Sequence, residues 1–192
     1  QSHVNECCSD NFYMKNKFFV LFLLSFLSFS LFSQELQNGY GGVTLGMSIS
    51  ETKEALLKNT DFGYRGDRDV SLSPSQNQTI IETDATHFGD LSYLTQCWFQ
   101  FYNDKLYAIT ININTNKIDY YTLFSTLSKK YGNPDSLNPT KATWKNESIT
   151  MSLEKPLSVK YIDNSISSEI SKHANIQKAG EELTKELFLE GF

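Results

Sequence analysis

One short segment contains the residue types that acid–base chemistry or metal binding would use. Asp84, His87 and Asp90 lie close together in the chain, so that one imidazole stands between two carboxylates. A carboxylate can orient an imidazole as a base, and the same side chains are common metal ligands. A metal site usually needs three or four ligands, and His173 lies far along the chain. We therefore predict no metal and no cofactor, and we interpret this segment as a polar loop that leads into a strand.

Other catalytic patterns are missing from the sequence. It contains no G-x-S-x-G elbow, no H-E-x-x-H helix and no C-x-x-C pair, and the glycine-rich stretch 39–46 lacks the Lys-Ser/Thr ending of a phosphate-binding loop. No histidine is near Cys97 in sequence, which favours a small buried hydrophobic residue over a nucleophile. These observations predict that the protein is not an enzyme. A hydrolytic or metal-dependent enzyme that uses His87 is the less favoured alternative.

Aromatic residues make up 14% of the chain, which is high for a soluble domain and suggests a binding surface. Tyrosine and tryptophan are favoured at interaction hot spots, but they also pack well on the buried face of a sheet. The face of the sheet that they occupy therefore decides between the two interpretations. The candidate binding residues are Tyr93, Trp98, Tyr102, Tyr107 and Trp144.

The strongest strand pattern runs from Leu91 to Asn114. It alternates apolar and polar residues on both sides of a turn at 103–105, as expected for a hairpin with one wet face. The residues predicted to share one face of the first strand are Cys97, Phe99 and Phe101. Those predicted to share one face of the second are Tyr107, Ile109, Ile111 and Ile113. Further strands are predicted near 79–83, 142–145, 149–153 and 157–161.

Two helices have clear start signals. Ser48 and Glu51 form the pattern of a capping box for a helix that ends near Lys58. Asp119 can cap a second helix, which Gly132 ends. The sequence predicts an α+β fold, with an antiparallel sheet of about five to six strands covered on one face by helices. Each helix precedes a set of strands, so two degenerate helix-plus-strands halves are one interpretation.

The N-terminal part of the chain has the order of a secretory signal peptide. Lys15 and Lys17 precede an apolar stretch, 18–32, and small serines follow. A membrane-spanning helix needs roughly 20 apolar residues, so an uncleaved anchor formed by 18–32 is the alternative. We predict a leader over 1–13, a signal peptide over 14–33, an α+β domain over 34–163 and an amphipathic helical tail over 164–192. The expected location is the periplasm or the extracellular space, with no stable membrane insertion after cleavage.

The charge balance argues against nucleic acid as a partner. The chain carries 17 Lys and Arg against 22 Asp and Glu, a net charge of -5. Binding to a phosphate backbone needs clustered basic residues, whereas Arg65 and Arg68 share one loop with Asp67 and Asp69. We therefore expect the partner to be an envelope or extracellular protein.

The residues at the start of the first predicted helix and at the end of the second resemble those of a known family. The stretch Leu45-Gly46-Met47-Ser48 with Glu51, and later Gly132-Asn133-Pro134, is similar to the helix start and helix exit of small bacterial envelope domains of the SmpA/OmlA type, known also as BamE-like. That resemblance implies an α+β fold and an envelope location. Members are typically lipoproteins of the outer-membrane assembly machinery, and this chain lacks the lipidated cysteine. Similar folds also serve as secreted enzyme inhibitors.

Together these features predict an exported, non-enzymatic domain that binds another protein through its sheet. The alternative is a carrier of a small apolar ligand, held between the sheet and its helices. In that case the ligand would lie among Phe99, Phe101, Ile109 and Ile111.

Overall fold

The computed structural model of the protein describes residues 35–72 and 77–190. The predicted leader and signal peptide lie outside these ranges. The first elements are β1 (Gly39–Tyr40), β2 (Val43–Thr44), α1 (Ile49–Lys58), β3 (Val70–Leu72), β4 (Gln78–Asp84), β5 (Leu94–Tyr102) and β6 (Lys105–Ile113). They are followed by α2 (Tyr120–Tyr131), β7 (Ser136–Asn138), β8 (Lys141–Lys145), β9 (Ile149–Glu154), β10 (Ser158–Asp163) and α3 (Asn164–Leu189).

The main sheet has eight antiparallel strands in the order β3-β4-β5-β6-β10-β9-β8-β7, and β1 and β2 form a separate two-stranded sheet. The α+β class is confirmed, but the predicted number of five to six strands is too low. The two missed strands, β3 and β7, are three-residue edge strands. β7 is exposed throughout and β3 lies in a stretch rich in turn-forming residues, so neither shows the alternation that marks a half-buried strand.

The element order divides the described domain into two topologically equivalent halves. In each half a helix, α1 or α2, precedes a four-stranded antiparallel meander. The last strands of the two meanders, β6 and β10, pair with each other, with Ile111 opposite Val159. Because this central pairing is antiparallel, the two halves have the topology of an approximate twofold relation.

One face of the main sheet forms the hydrophobic core together with α1 and α2. Alternate residues of the central strands are fully buried, among them Phe99, Ile109 and Leu153. Leu56 of α1 and Leu127 of α2 belong to the same core cluster. We call the opposite side of the sheet the outer face.

The predicted helix caps are confirmed. Ser48 accepts a hydrogen bond from the main-chain N–H of Glu51, and the Glu51 carboxylate accepts one from the N–H of Ser48 at 2.8 Å. Asp119 accepts from the N–H of Thr122 at 2.9 Å at the start of α2. These side chains pair N–H groups that have no partner within the first turn of a helix.

Tyr107 does not lie on the buried face that strict alternation predicts. The register between β5 and β6 shifts at Gln100 and Phe101, so that Leu106 pairs with Phe101 and takes the buried position. The Tyr107 hydroxyl instead donates a hydrogen bond to Oε1 of Gln100 at 3.2 Å, which places Tyr107 on the outer face. A β-bulge adds one residue to a strand and so reverses the side on which the preceding residues lie.

The C-terminal helix α3 continues directly from β10. Its first residue, Asn164, donates from its side-chain amide to the main-chain oxygen of Asn146 at 3.0 Å. Further along, Ile176, Leu187 and Phe188 are exposed. Within the described ranges, no helix combines the length and apolar character needed to cross a membrane.

Candidate functional site

The predicted acid–base segment forms a turn whose polar groups are engaged locally. The Asp84 carboxylate accepts hydrogen bonds from the main-chain N–H and the hydroxyl of Thr86, and the hydroxyl bond followed by the main-chain bond lowers the pKa of Asp84. His87 places Nδ1 2.9 Å from the main-chain oxygen of Asp84, not against the carboxylate. The side chain of Asp90 lies outside the described part of the structure. The geometry therefore shows no oriented histidine–carboxylate pair between His87 and Asp84.

The described residues contain neither a cluster of metal ligands nor an exposed cysteine. No three His, Cys, Asp or Glu side chains come together there as metal ligands. Cys97 is buried on β5, as predicted, and this burial raises the pKa of its thiol to about 12. A thiol with that pKa stays protonated at neutral pH and is a poor nucleophile.

The outer face carries three of the five predicted binding residues. Trp98 and Tyr102 lie on β5 between the buried positions, and Tyr107 joins them because of the bulge. All three side chains are half-buried. Trp98 pairs with Glu82 of β4 and Thr110 of β6, so its flanks are polar. The outer face therefore presents aromatic surface inside a polar surround.

The other two predicted binding residues lie elsewhere. Trp144 is only 3% exposed, and its indole Nε1 donates to the main-chain oxygen of Gly132 at 2.9 Å, so it belongs to the core. Trp144 pairs with the buried Met151 of β9. The predicted strand 142–145 is too short for its alternation to show which side is buried. Tyr93 is exposed in the loop before β5, with the Lys117 ammonium 5.4 Å from its ring centre. Only Trp98, Tyr102 and Tyr107 of the predicted binding residues therefore share the outer face.

A cavity of about 410 Å³ lies between the core face of the sheet and α2. This volume falls within the range of small-molecule sites, which are mostly apolar with a few polar groups. The apolar lining comes from the loop before β5, from β5, β6 and β10, and from α2: it comprises Leu91, Leu94, Ile111, Ile113, Ile118, Leu123, Leu127 and Val159.

The polar groups of the cavity come from five separate segments. Lys130 Nζ donates to Oε1 of Gln37 at 2.9 Å, and the Tyr131 hydroxyl donates to the same oxygen at 3.1 Å. Tyr161 of β10, Tyr40 and Asp61 also line the cavity, as do Ser92 and Thr126. Burial, followed by the charge of Asp61, raises the pKa of Tyr40.

The sequence predicts, as an alternative, a ligand held between the sheet and its helices, but it does not indicate most of the residues that line this cavity. The sequence alone indicates no site at Lys130, in the last turn of α2, or at Tyr161, in the strand predicted near 157–161. The available signal was Tyr161 itself, because a tyrosine on the core face of a strand brings a hydroxyl that needs a partner. Of the residues predicted to surround a ligand, Ile111 lines the cavity, whereas Phe99 and Phe101 are completely buried and do not line it.

The fold and the cavity define an α+β protein with one large antiparallel sheet and a hydrophobic cavity beneath one helix. Residues 38–173 match the TP0088 domain family, and the chain belongs to this family. The match begins just before β1 and ends within α3, so it spans both halves of the main sheet. No curated protein and no solved structure matches the chain. The resemblance to SmpA/OmlA domains stays a prediction.

Proposed function

We propose that this protein is an exported, non-enzymatic domain that binds an envelope or extracellular protein through the outer face of its main sheet. Export rests on the signal-peptide pattern of 14–33. The observation that carries the binding role is the placement of Trp98, Tyr102 and Tyr107 on the face opposite the core. Aromatic residues that stay partly exposed on a regular sheet supply rigid contact area at little cost in conformational entropy.

Substitution of Trp98 or Tyr102 by alanine is expected to abolish capture of the partner. Hot-spot residues contribute at least about 2 kcal/mol, which weakens binding by more than about tenfold. The measurement is affinity capture from envelope extract on the immobilised full chain, at low and high salt. Tyr121→Ala is the matched control, since Tyr121 is 73% exposed on α2, away from the outer face. Recovery of the same proteins by Trp98→Ala as by the unaltered chain would count against the proposal.

A second candidate function, carriage of a small apolar ligand, is favoured by the cavity. Its walls come from the sheet and from α2, so that a bound molecule would be enclosed by regular elements rather than by a loop alone. The location differs from the predicted one, since the space lies towards Ile111 and Ile113 and not between Phe99 and Phe101.

Filling the cavity is expected to remove ligand binding. Leu123 of α2 lines the space, and an indole in its place would occupy the volume that the ligand needs. For Leu123→Trp we expect decanol to bind at least about tenfold more weakly in calorimetric titration. Tyr121→Trp adds the same indole on the solvent side of the same helix and should leave decanol affinity unchanged. Equal decanol affinity in both variants would exclude the cavity as the site.

A further inference from the structure

The polar end of the cavity is composed mainly of hydrogen-bond donors. Lys130 and Tyr131 both donate to the single side-chain oxygen of Gln37, at 2.9 and 3.1 Å. No carboxylate lies within ion-pair distance of the Lys130 ammonium in the described part of the chain. Its other close contact is the Tyr131 ring, with the ammonium 5.1 Å from the ring centre. A half-buried cation beside a hydrophobic cavity therefore makes no ion pair with any described carboxylate.

Tyr161 adds a donor that has no use within the fold. The side chain is only 4% exposed and lines the cavity, yet its hydroxyl makes no hydrogen bond to any described residue. Burial, then the nearby Tyr131 and Tyr40, raise its pKa, so the group remains a protonated hydroxyl at neutral pH. Because the Tyr161 side chain lines the cavity, its hydroxyl is available to an acceptor on a ligand there.

The opposite end of the cavity, near Ile113, is mainly aliphatic. Ser92 and Tyr93 also line it, and the main-chain oxygen of Tyr93 accepts from the N–H of Asn114 at 2.9 Å. On the sheet, Tyr161 of β10 pairs with Ile109 of β6, and Val159 pairs with Ile111. Ile113 follows Ile109 by four residues, so it lies about 13 Å along the strand direction from Tyr161. On α2, Leu123 is seven residues from Lys130, or about 10 Å along the helix axis. The sheet and α2 therefore each carry a hydrogen-bond donor at one end of the cavity and aliphatic side chains at the other. The donor and the aliphatic end are separated by a similar distance on both.

We propose that the cavity binds an amphiphile with one anionic head group and a short linear apolar tail, the chemistry of a medium-chain acyl carboxylate. The head group would accept from Lys130 and Tyr161, and the tail would extend towards Ile113 and Leu123. This inference rests on the proposed carrier function and specifies the ligand of the same site.

Asp61 is the feature of the polar end that would favour a cationic ligand instead. Its side chain is exposed, however, so water screens its charge, whereas Lys130 is half-buried. Asp61 also acts on Tyr40, whose pKa is raised first by burial and then by this carboxylate. The excess of hydrogen-bond donors, and the weaker screening of the Lys130 charge than of the Asp61 charge, therefore favour an anionic ligand.

Three probes, each with a linear ten-carbon chain, test the head group: decanoate, decanol and decyltrimethylammonium. Each is titrated calorimetrically into the full chain below its micelle concentration. We expect decanoate to bind about tenfold more tightly than decanol, as for a hydrogen bond to a charged group. Lys130→Met, which keeps the apolar stem, should remove the preference for decanoate over decanol. Lys129→Met changes the adjacent exposed lysine and should behave like the unaltered chain.

Tyr161→Phe separates a ligand-binding hydroxyl from a structural one. We expect decanoate affinity to fall by about fivefold while the melting temperature of the unliganded protein stays equal or rises, because the lost hydroxyl had no partner. A lower melting temperature with unchanged decanoate affinity would overturn the role of Tyr161. Binding of decanol as tightly as decanoate, or tighter binding of decyltrimethylammonium, would overturn the anionic head group alone. Absence of binding by all three probes would overturn the carrier function as well.

Discussion

Replacement of Phe99 by alanine is expected to lower the free energy of unfolding by about 3–5 kcal/mol. Phe99 is fully buried at the centre of β5, between Ile81 of β4 and Ile109 of β6. Its ring also packs edge-to-face against Phe62, with 5.6 Å between the ring centres. Truncation removes the transfer free energy of the ring and leaves a cavity that three neighbouring elements cannot fill. Urea denaturation followed by circular dichroism measures the change.

Tyr121→Ala is the control for this substitution. It removes a ring of comparable size from an exposed position on α2, so we expect a change of less than about 0.5 kcal/mol. A loss below about 1 kcal/mol for Phe99→Ala would show that the centre of the sheet is not the principal hydrophobic core of the protein.

The central part of the fold was predictable because its local signals agree with one another. The alternation that predicts Cys97, Phe99 and Phe101 on one face is the alternation that the register of β5 shows. Ser48 and Asp119 predict helix starts because their side chains pair main-chain N–H groups only a few residues away. Such interactions act over short stretches of sequence, so a single chain is enough to recognise them.

The features that were missed depend on pairing partners far away in sequence. The bulge that moves Tyr107 to the outer face is defined by the register between β5 and β6, and nothing in the alternation of β6 alone indicates it. The strand β7 exists because Ser136–Asn138 pairs with β8, although its residues resemble a loop. Edge strands need little hydrophobic pattern, since only one of their sides is paired.

The candidate sites show the same difference between features with local sequence signals and features that depend on distant segments. The aromatic outer face was predictable in part, because Trp98 and Tyr102 alternate with buried residues on a strand whose sides are clear from the sequence. The polar end of the cavity was not predictable. Gln37, Lys130 and Tyr161 belong to three separate segments, and only the folded chain brings them to one end of the same space.

The two candidate sites lie on opposite faces of the sheet, which has a consequence for experiments. Trp98 points away from the core, whereas Leu123 packs against it. Substitutions that block one site therefore leave the other intact, and additivity is expected for changes that share no contacts. Loss of partner capture in Trp98→Ala with normal decanol binding would assign the two activities to separate surfaces.

Glu154→Gln is expected to lower the free energy of unfolding by about 2 kcal/mol at neutral pH and to have little effect near pH 2. Glu154 accepts from Lys160 at 2.7 Å and from Lys141 at 2.9 Å, which links three neighbouring strands on the outer face. Partial burial raises the pKa of Glu154, but the two lysines outweigh it and hold the pKa at about 2, compared with 4.5 in an unfolded chain. Without screening, this pKa difference corresponds to about 3 kcal/mol of stability. Both lysines are partly exposed, so solvent screens the ion pairs and the contribution is smaller.

The direction of the pH dependence follows from the lowered pKa. Above about pH 4.5 Glu154 is ionised in both states, and the ion pairs contribute fully to stability. As the pH falls from 4.5 towards 2, the unfolded chain binds a proton that the folded protein resists, so the contribution is progressively lost. Urea denaturation across this range should therefore show a steeper decline for the unaltered protein than for Glu154→Gln. Glu82→Gln alters an exposed carboxylate on the same face and should keep the steep decline. Parallel pH profiles for Glu154→Gln and the unaltered protein would mean that the three-strand ion pair does not stabilise the sheet.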